Sequence, residues 1–94
     1  MHGVIVQVKI DSNHEEEAER MLHEAVVPAA KGLAGFTSGT WLRALEGDGG
    51  RGVLLFESEE AARAAVERIR SEGPPPGVPV TLETVDAYEV LAQA

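Results

Sequence analysis

The fold is decided by residues 36–57, which read FTSGTWLRALEGDGGRGVLLFE. Two runs that contain many β-branched, aromatic and aliphatic residues, 36–46 and 52–57, flank a glycine-rich stretch at 47–50. Two such runs joined by a short glycine-rich loop are typical of a β-hairpin. The sequence therefore predicts a pair of antiparallel strands at the centre of the chain, and the flanking segments determine how the sheet is completed.

Upstream of the hairpin, residues 3–10 predict a first strand in which valine occupies every second position. Successive side chains of a strand point to opposite faces of the sheet, so the valines share one apolar face. Ile5, Gln7 and Lys9 share the other face, which is mixed in polarity. We expect the valine face to meet the helices and the mixed face to need another cover.

A first helix is predicted between this strand and the hairpin. Ser12 and Asn13 each have a glutamate three residues later, and either pair fits a capping box at the helix start. Apolar residues then recur at helical spacing and form one stripe: Ala18, Met21, Leu22, Ala25, Val26, Ala29 and Leu33. Pro28 has no backbone N–H, so we expect a kink or a break near Val27.

Downstream of the hairpin, Ser58 is predicted to cap a second helix with a narrow stripe of small apolar residues. Residues 71–79 form an extended proline-rich connector, and residues 80–91 predict the last strand. The resulting βαββαβ order predicts an α+β, ferredoxin-like fold, with a four-stranded antiparallel sheet and two helices on one face.

Composition limits the domain number and the class of partner. The 94 residues are enough for a single domain, 1–94, and the chain has no cysteine and a net charge of −8. Nucleic-acid binders usually carry a basic stripe, so we expect neither DNA nor RNA as a partner. No segment resembles a signal peptide or is long enough to span a membrane, so we expect a soluble cytoplasmic protein without membrane contact.

The mixed face of the predicted sheet points to assembly. It would carry Ile5, Gln7, Trp41 and Leu45, which is more apolar surface than a monomer usually exposes. A second copy packed sheet against sheet would cover it, and a symmetric dimer is the commonest oligomer. The long last strand is expected to reach past its own sheet and to protect an edge of the partner's sheet.

The order of elements, the length and residues 35–43, Gly-Phe-Thr-Ser-Gly-Thr-Trp-Leu-Arg, resemble the dimeric α+β barrel superfamily. Within it the chain is similar to the antibiotic-biosynthesis-monooxygenase-like (ABM-like) branch, in which a Gly-Phe pair opens strand two. Residues 54–61, Leu-Leu-Phe-Glu-Ser-Glu-Glu-Ala, which run from strand three directly into a helix, are similar as well. The resemblance covers essentially the whole chain and implies a homodimeric barrel. Its members include cofactor-free oxygenases, heme-degrading enzymes and isomerases, so it does not imply one reaction.

Trp41, Arg43 and Tyr88 are the candidate ligand-binding residues. Trp41 can stack on a flat aromatic ligand in a cavity between the sheets, with Arg43 holding an anionic or phenolic oxygen. In the alternative reading Trp41 plugs the barrel and Arg43 pairs with a carboxylate. Tyr88 can donate to a ligand oxygen, or it can be an amphipathic residue at an edge or a dimer interface.

His14 and Gln7 are the candidate catalytic residues. His14 can act as a base near neutral pH, or it can simply be a partly exposed residue at the helix start. In the heme-degrading branch an inward Asn on strand one carries chemistry, and here Gln7 stands in its place. That branch also needs a histidine on the second helix and a tryptophan after strand three; this chain has neither, so heme degradation is not expected. His14 and His23 are nine residues apart on different helix faces, so no metal site is predicted.

Three hypotheses follow for the function. The first is a small oxygenase that acts without metal, flavin or other cofactor on an electron-rich aromatic, such as a quinol or an anthrone. The second is a ligand-binding or isomerase-like barrel without oxygen chemistry. The third is a structural or interaction module whose barrel is filled by side chains.

Overall fold

Four antiparallel strands form one sheet in the computed structural model, which describes residues 1–94. The strands are β1 (His2–Ile10), β2 (Phe36–Arg43), β3 (Gly49–Phe56) and β4 (Val80–Glu89), in the spatial order β2-β3-β1-β4. Helices lie between β1 and β2 and between β3 and β4 in the chain and pack on one face of the sheet. The predicted α+β, ferredoxin-like βαββαβ fold is confirmed.

The core lies between the sheet and the helices. Its strand residues are Val4, Leu54, Phe56 and Val85, all at most 3% exposed. Val4 pairs with Leu54 across the ladder, and Val6 packs against the same cluster, so the predicted role of the valine face of β1 is confirmed. The ring of Phe36 meets that of Phe56 edge to face at 6.1 Å, which anchors the start of β2 to the core.

The second helix, α3 (Glu59–Glu72), packs on the sheet through small side chains. The Ser58 hydroxyl accepts a hydrogen bond from the N–H of Ala61 at 3.1 Å, so the predicted cap is confirmed. Ala62 and Ala65 are buried against the strands, and their size lets the helix approach closely. At the far end, Arg70 Nη2 donates to the carbonyl oxygen of Val85 at 2.8 Å, which ties the helix to the edge strand β4.

The first helical unit has three parts: α1 (Glu15–Met21), a π-helical turn (Leu22–Val26), and α2 (Val27–Lys31). The interruption predicted near Val27 is confirmed, since the π-turn ends directly before it and Pro28 stands in the first turn of α2. A π-turn holds extra residues per turn and so rotates the following stripe. Ala30 is therefore buried, whereas Ala29, the predicted stripe residue, is exposed.

The predicted capping box at the start of α1 is wrong. The helix begins after His14, and no side chain caps it. The side chain of Asp11 organises the turn instead, because its carboxylate accepts a hydrogen bond from the N–H of Asn13 at 3.0 Å. Ser12 and Asn13 therefore belong to the preceding turn rather than to the helix cap.

Three predicted strand boundaries change in the structure. β2 ends at Arg43 rather than at residue 46, so Leu45 lies exposed in the hairpin and not on a sheet face. β3 already begins at Gly49. β4 ends at Glu89, which pairs with His2, the first residue of β1. A bulge between Leu82 and Thr84 takes up one residue of β4, and the expectation that the last strand protects an edge of the partner's sheet stays a prediction.

A bulge in β2 reverses the predicted orientation of its second half. Phe36 pairs with Phe56, but Ser38 pairs with Leu55, so Thr37 is an extra residue without a partner. Because side-chain direction alternates along a strand, one extra residue moves every following side chain to the other face. Trp41 was expected on the mixed face with Gln7, but the structure places it on the helix-facing side.

Glycines on the helix-facing side make room for the indole of Trp41. A Cβ atom on Gly52, its cross-strand neighbour, would lie 3.2 Å from the indole Nε1. A Cβ atom on Gly39 would lie 2.7 Å from Cη2 at the opposite end of the ring system. The indole therefore spans both glycines and lies along the sheet, and a planar side chain is able to do so only because these positions carry no side chain.

Substitution of Gly39 tests this packing. In Gly39→Ala the new methyl group overlaps the rigid indole, so we expect a loss of about 1–3 kcal/mol in the free energy of unfolding. Emission of the single tryptophan should shift to the red as the ring moves toward water. Urea unfolding followed by Trp41 fluorescence and by circular dichroism measures both effects.

Gly49→Ala is the matched control, because its Cβ would meet only the Ala44 Cβ at an ordinary 3.8 Å. We expect this variant to stay within about 0.5 kcal/mol of the wild-type protein. Equal stability and unchanged emission in Gly39→Ala would contradict the flat seating of Trp41 on the sheet.

Candidate functional site

Trp41 and Arg43 lie two residues apart on the helix-facing side of β2, at the end of the strand that leads into the hairpin. The Nη1 atom of Arg43 is 3.9 Å from Oε2 of Glu19 on α1. None of the side-chain hydrogen bonds of the protein involves the indole of Trp41, and its Nε1–H is not sealed from solvent. The pair therefore presents a cation and a free hydrogen-bond donor on the same side of the sheet.

The surroundings of this pair are apolar but incompletely covered. Val6, Val8, Ile10 and Trp41 lie on the helix-facing side and remain half-buried. In the first helical unit the π-turn buries no residue, and α1 buries only Ala18. We call the surface formed by these four residues and Arg43 the Trp41 strip. An apolar strip with a few polar groups at its end is the composition that small-molecule sites usually have.

His14 lies at the start of α1 and is held by its own turn. Its Nδ1 atom is 2.9 Å from Oδ2 of Asp11, and both side chains are about half exposed. The backbone N–H of Asn13 and then the hydrogen bond from His14 hold the pKa of the Asp11 carboxyl below its ordinary value. His14 precedes Glu19 by about one and a half turns of helix, so it lies at the same end of the molecule as Arg43 without contacting it.

Gln7 lies on the opposite face of the sheet from Trp41. It pairs with Arg51 of β3 and Thr84 of β4, whereas Trp41 shares its face with Gly52 and Val6. The sheet backbone therefore separates the two within one protomer. The predicted grouping of Gln7 with Trp41 is wrong, because it assumed a strand β2 without a bulge.

Tyr88 is also separated from the Trp41 strip. It pairs with Gly3 and therefore shares the face of Ile5, opposite to Trp41. It lies on β4, at one edge of the sheet, whereas β2 forms the other edge. The five predicted site residues thus fall into three places: Trp41 and Arg43 on the strip, His14 at its end, and Gln7 and Tyr88 across the sheet.

A groove that the sequence analysis did not identify runs between α3 and β4 and has a volume of about 560 Å³. Both of its arginines are paired within the groove, Arg63 with Glu59 at 2.8 Å and Arg70 with Asp86 at 3.3 Å, whereas Glu67 and Glu89 also line it and have no ion-pair partner. At its end Nδ1 of His2 is buried without a hydrogen-bond partner. The i,i+4 spacing of the first pair is visible in the sequence, but the second pair joins distant segments and is not.

Two further features of the whole chain bear on the site. No group of three or more His, Asp or Glu side chains is arranged to hold a metal ion. No helix combines the length and the apolar character that a membrane span requires.

Comparison with solved structures shows the same fold in proteins of low sequence identity. The heme-degrader MhuD from Mycobacterium tuberculosis, solved with two hemes bound in its active site, aligns with a TM-score of 0.70 at 24% identity. That alignment covers 100% of this chain and 99% of the other. A monooxygenase of Streptomyces coelicolor in complex with the ligand nanaomycin D aligns with a TM-score of 0.61 at 16% identity, covering 99% and 89%.

No protein-family model matches the chain, and no curated protein matches it significantly. Identities this low establish the fold and leave the reaction open. The alignments extend over essentially the full length of this chain and nearly all of the two solved proteins. The chain therefore has the same fold as these proteins, and the fold that its sequence resemblance to the ABM-like branch predicts is confirmed.

Proposed function

We propose that this protein is a cofactor-independent monooxygenase that acts on an electron-rich aromatic small molecule, such as a quinol or an anthrone, bound on the Trp41 strip. The observation that carries this proposal is the position of Trp41. Its indole lies along two glycines, keeps its N–H unpaired and has Arg43 beside it on the same face. Because this N–H is open to solvent and has no protein partner, it is available to a ligand oxygen.

Binding uses the two groups for different parts of the ligand. A flat aromatic ring stacks on the apolar strip, where Trp41 and Val6 supply the contact surface. A hydroxyl or enolate oxygen of the ligand accepts hydrogen bonds from the indole N–H and from the guanidinium of Arg43. The guanidinium also favours the ionised form of that oxygen, which makes the ligand a better electron donor.

The reaction needs only the substrate and oxygen. In an anthrone, the methylene carbon loses two hydrogens and becomes a carbonyl that contains one oxygen atom of O2, while the other oxygen atom leaves as water. The substrate supplies all four electrons once it has lost a proton. His14, oriented by Asp11 at the same end of the molecule, is the proposed acceptor of that proton, either directly or through water.

The fold comparison is compatible with this class of reaction. The Streptomyces coelicolor protein is a monooxygenase solved in complex with the ligand nanaomycin D, and it has the same fold. Heme is not proposed as the substrate here, although MhuD degrades it. The helix α3 carries Arg63, Arg68 and Arg70 and no histidine that could bind a heme iron from that element.

We also propose that two copies pack through the sheet face opposite the helices. That face carries Ile5, Val53 and Leu55 at its centre, with Leu42 54% exposed and Tyr88 49% exposed toward its edges. Exposed apolar residues that share one face favour burial against a second sheet. The Trp41 strip lies on the other side of the sheet, so such a dimer would leave one site open in each protomer.

Arg43→Ala tests the binding site. We expect the variant to bind 2-hydroxy-1,4-naphthoquinone, which is an anion at neutral pH, about tenfold more weakly, because a charge-assisted hydrogen bond to the ligand oxygen is lost. Saturable quenching of Trp41 emission under nitrogen measures the affinity, and an oxygen electrode with anthrone measures turnover. Oxygen uptake should fall in Arg43→Ala and in His14→Gln.

Arg63→Ala is the matched control, since Arg63 is an exposed arginine of α3 that pairs only with Glu59. It should bind and turn over like the wild-type protein. Quenching without oxygen uptake in the wild-type protein would favour a ligand-binding or isomerase-like barrel. An emission that no hydroxyaromatic changes would contradict the proposed site altogether.

Leu42→Glu tests the proposed dimer. The side chain is exposed in the protomer, so the substitution should leave the fold stable while placing a charge on the proposed interface. We expect a dimer for the wild-type protein and a monomer for the variant by sedimentation equilibrium. Leu45→Glu, the same substitution in the hairpin, should remain a dimer, and a monomeric wild-type protein would contradict this proposal.

A further inference from the structure

A single polar contact links the first helical unit to the sheet. It joins Glu19 of α1 to Arg43 of β2, at 3.9 Å between Oε2 and Nη1. The other polar contacts of this unit stay within it or within its entry turn, such as the Arg20–Glu24 pair at 2.8 Å and the His14–Asp11 pair. Glu19 therefore supplies the only carboxylate that the structure places against the cation of the Trp41 strip.

The geometry of this contact is that of a weak ion pair, in which a ligand can replace Glu19 at Arg43. The two atoms are too far apart for a hydrogen bond, and the two side chains are 53% and 63% exposed. Ion pairs of this kind contribute little stability and are screened by salt. The guanidinium of Arg43 is thus already oriented toward a carboxylate, and a ligand anion that binds it more tightly can replace that carboxylate.

The charges around the strip limit which ligands can replace Glu19 at Arg43. Glu15 precedes Glu19 by four residues and therefore lies on the same side of α1. The whole chain carries a net charge of −8, which disfavours anions in general. Arg43 is the only cation of the Trp41 strip, so the strip can neutralise one negative charge and not two.

We infer that Glu19 is a specificity-determining residue: its carboxylate occupies Arg43 in the empty protein, and the ligand is a planar aromatic monoanion whose oxygen displaces it. This inference rests on the proposed binding site at Trp41 and Arg43. It assigns to Glu19 the discrimination between charged and neutral aromatics of the same shape. A neutral ligand stacks on the strip while Glu19 remains paired with Arg43, so its affinity does not depend on displacing Glu19.

A matched pair of probes separates charge from shape. The two probes share one ring system. One is 2-hydroxy-1,4-naphthoquinone, which is an anion at neutral pH, and the other is 2-methyl-1,4-naphthoquinone, which is neutral. Both quench tryptophan, so Trp41 emission reports their binding to the full chain. The variants are Glu19→Gln, which keeps the shape and removes the charge, and Glu17→Gln, which makes the same change in net charge on the opposite side of α1.

In Glu19→Gln we expect the hydroxyquinone to bind about fivefold more tightly at low salt, because its oxygen no longer competes with a carboxylate. The methylquinone should bind to this variant and to the wild-type protein alike, and Glu17→Gln should match the wild-type protein with both probes. The gain for the hydroxyquinone should shrink as salt is raised, since salt screens an exposed pair. Thermal unfolding followed by circular dichroism confirms that the variants are folded.

Two results would overturn the inference, and only the second would also contradict the proposed binding site. If the wild-type protein binds the hydroxyquinone and Glu19→Gln leaves that affinity unchanged, or tightens both probes equally, Glu19 does not determine specificity and the proposed site remains. If neither probe quenches the wild-type protein at any concentration, the inference fails together with the proposed site.

Discussion

One unpaired residue in β2 determines which side of the sheet carries the candidate chemistry. Thr37 has no partner in β3, and its hydroxyl donates to the carbonyl oxygen of Leu55 at 3.1 Å, which holds the bulge in place. Upstream of it, Phe36 is fixed by its contact with Phe56 in the core. Downstream, Trp41 and Arg43 point to the helices instead of to the open face. Without this extra residue, the indole and the guanidinium would lie on the face that a second copy would cover.

The consequences of that bulge depend on the helix above it. The π-turn at Leu22–Val26 buries no residue, and Pro28 follows it in the first turn of α2. Proline removes a backbone donor, so regular α-helical bonding cannot continue unchanged through this point. The first helical unit therefore covers the strands less completely than α3, whose alanines lie directly on them. The apolar strip around Trp41 stays half-buried for this reason.

The two faces of the sheet thus differ in the side chains they carry. The helix-facing side contains the core at one end and the Trp41 strip at the other. The open face carries Ile5, Leu42 and Tyr88, together with Arg51 next to Gln7. A protein built in this way can associate through one face and bind a small molecule on the other, because the sheet backbone keeps the two surfaces apart.

The sequence by itself determined the order of elements, the valine face of β1, the Ser58 cap and the interruption at Pro28, because each depends on residues close together in the chain. It also singled out Trp41 and Arg43 as a pair, since they are two residues apart. Their face could not be derived in this way, because the bulge at Thr37 exists only through pairing with Leu55, eighteen residues later. The contact of Glu19 with Arg43 and the separation of Gln7 and Tyr88 from the strip were likewise decided by the tertiary structure. Contacts between distant segments depend on strand register and packing, and a local pattern of side chains determines neither.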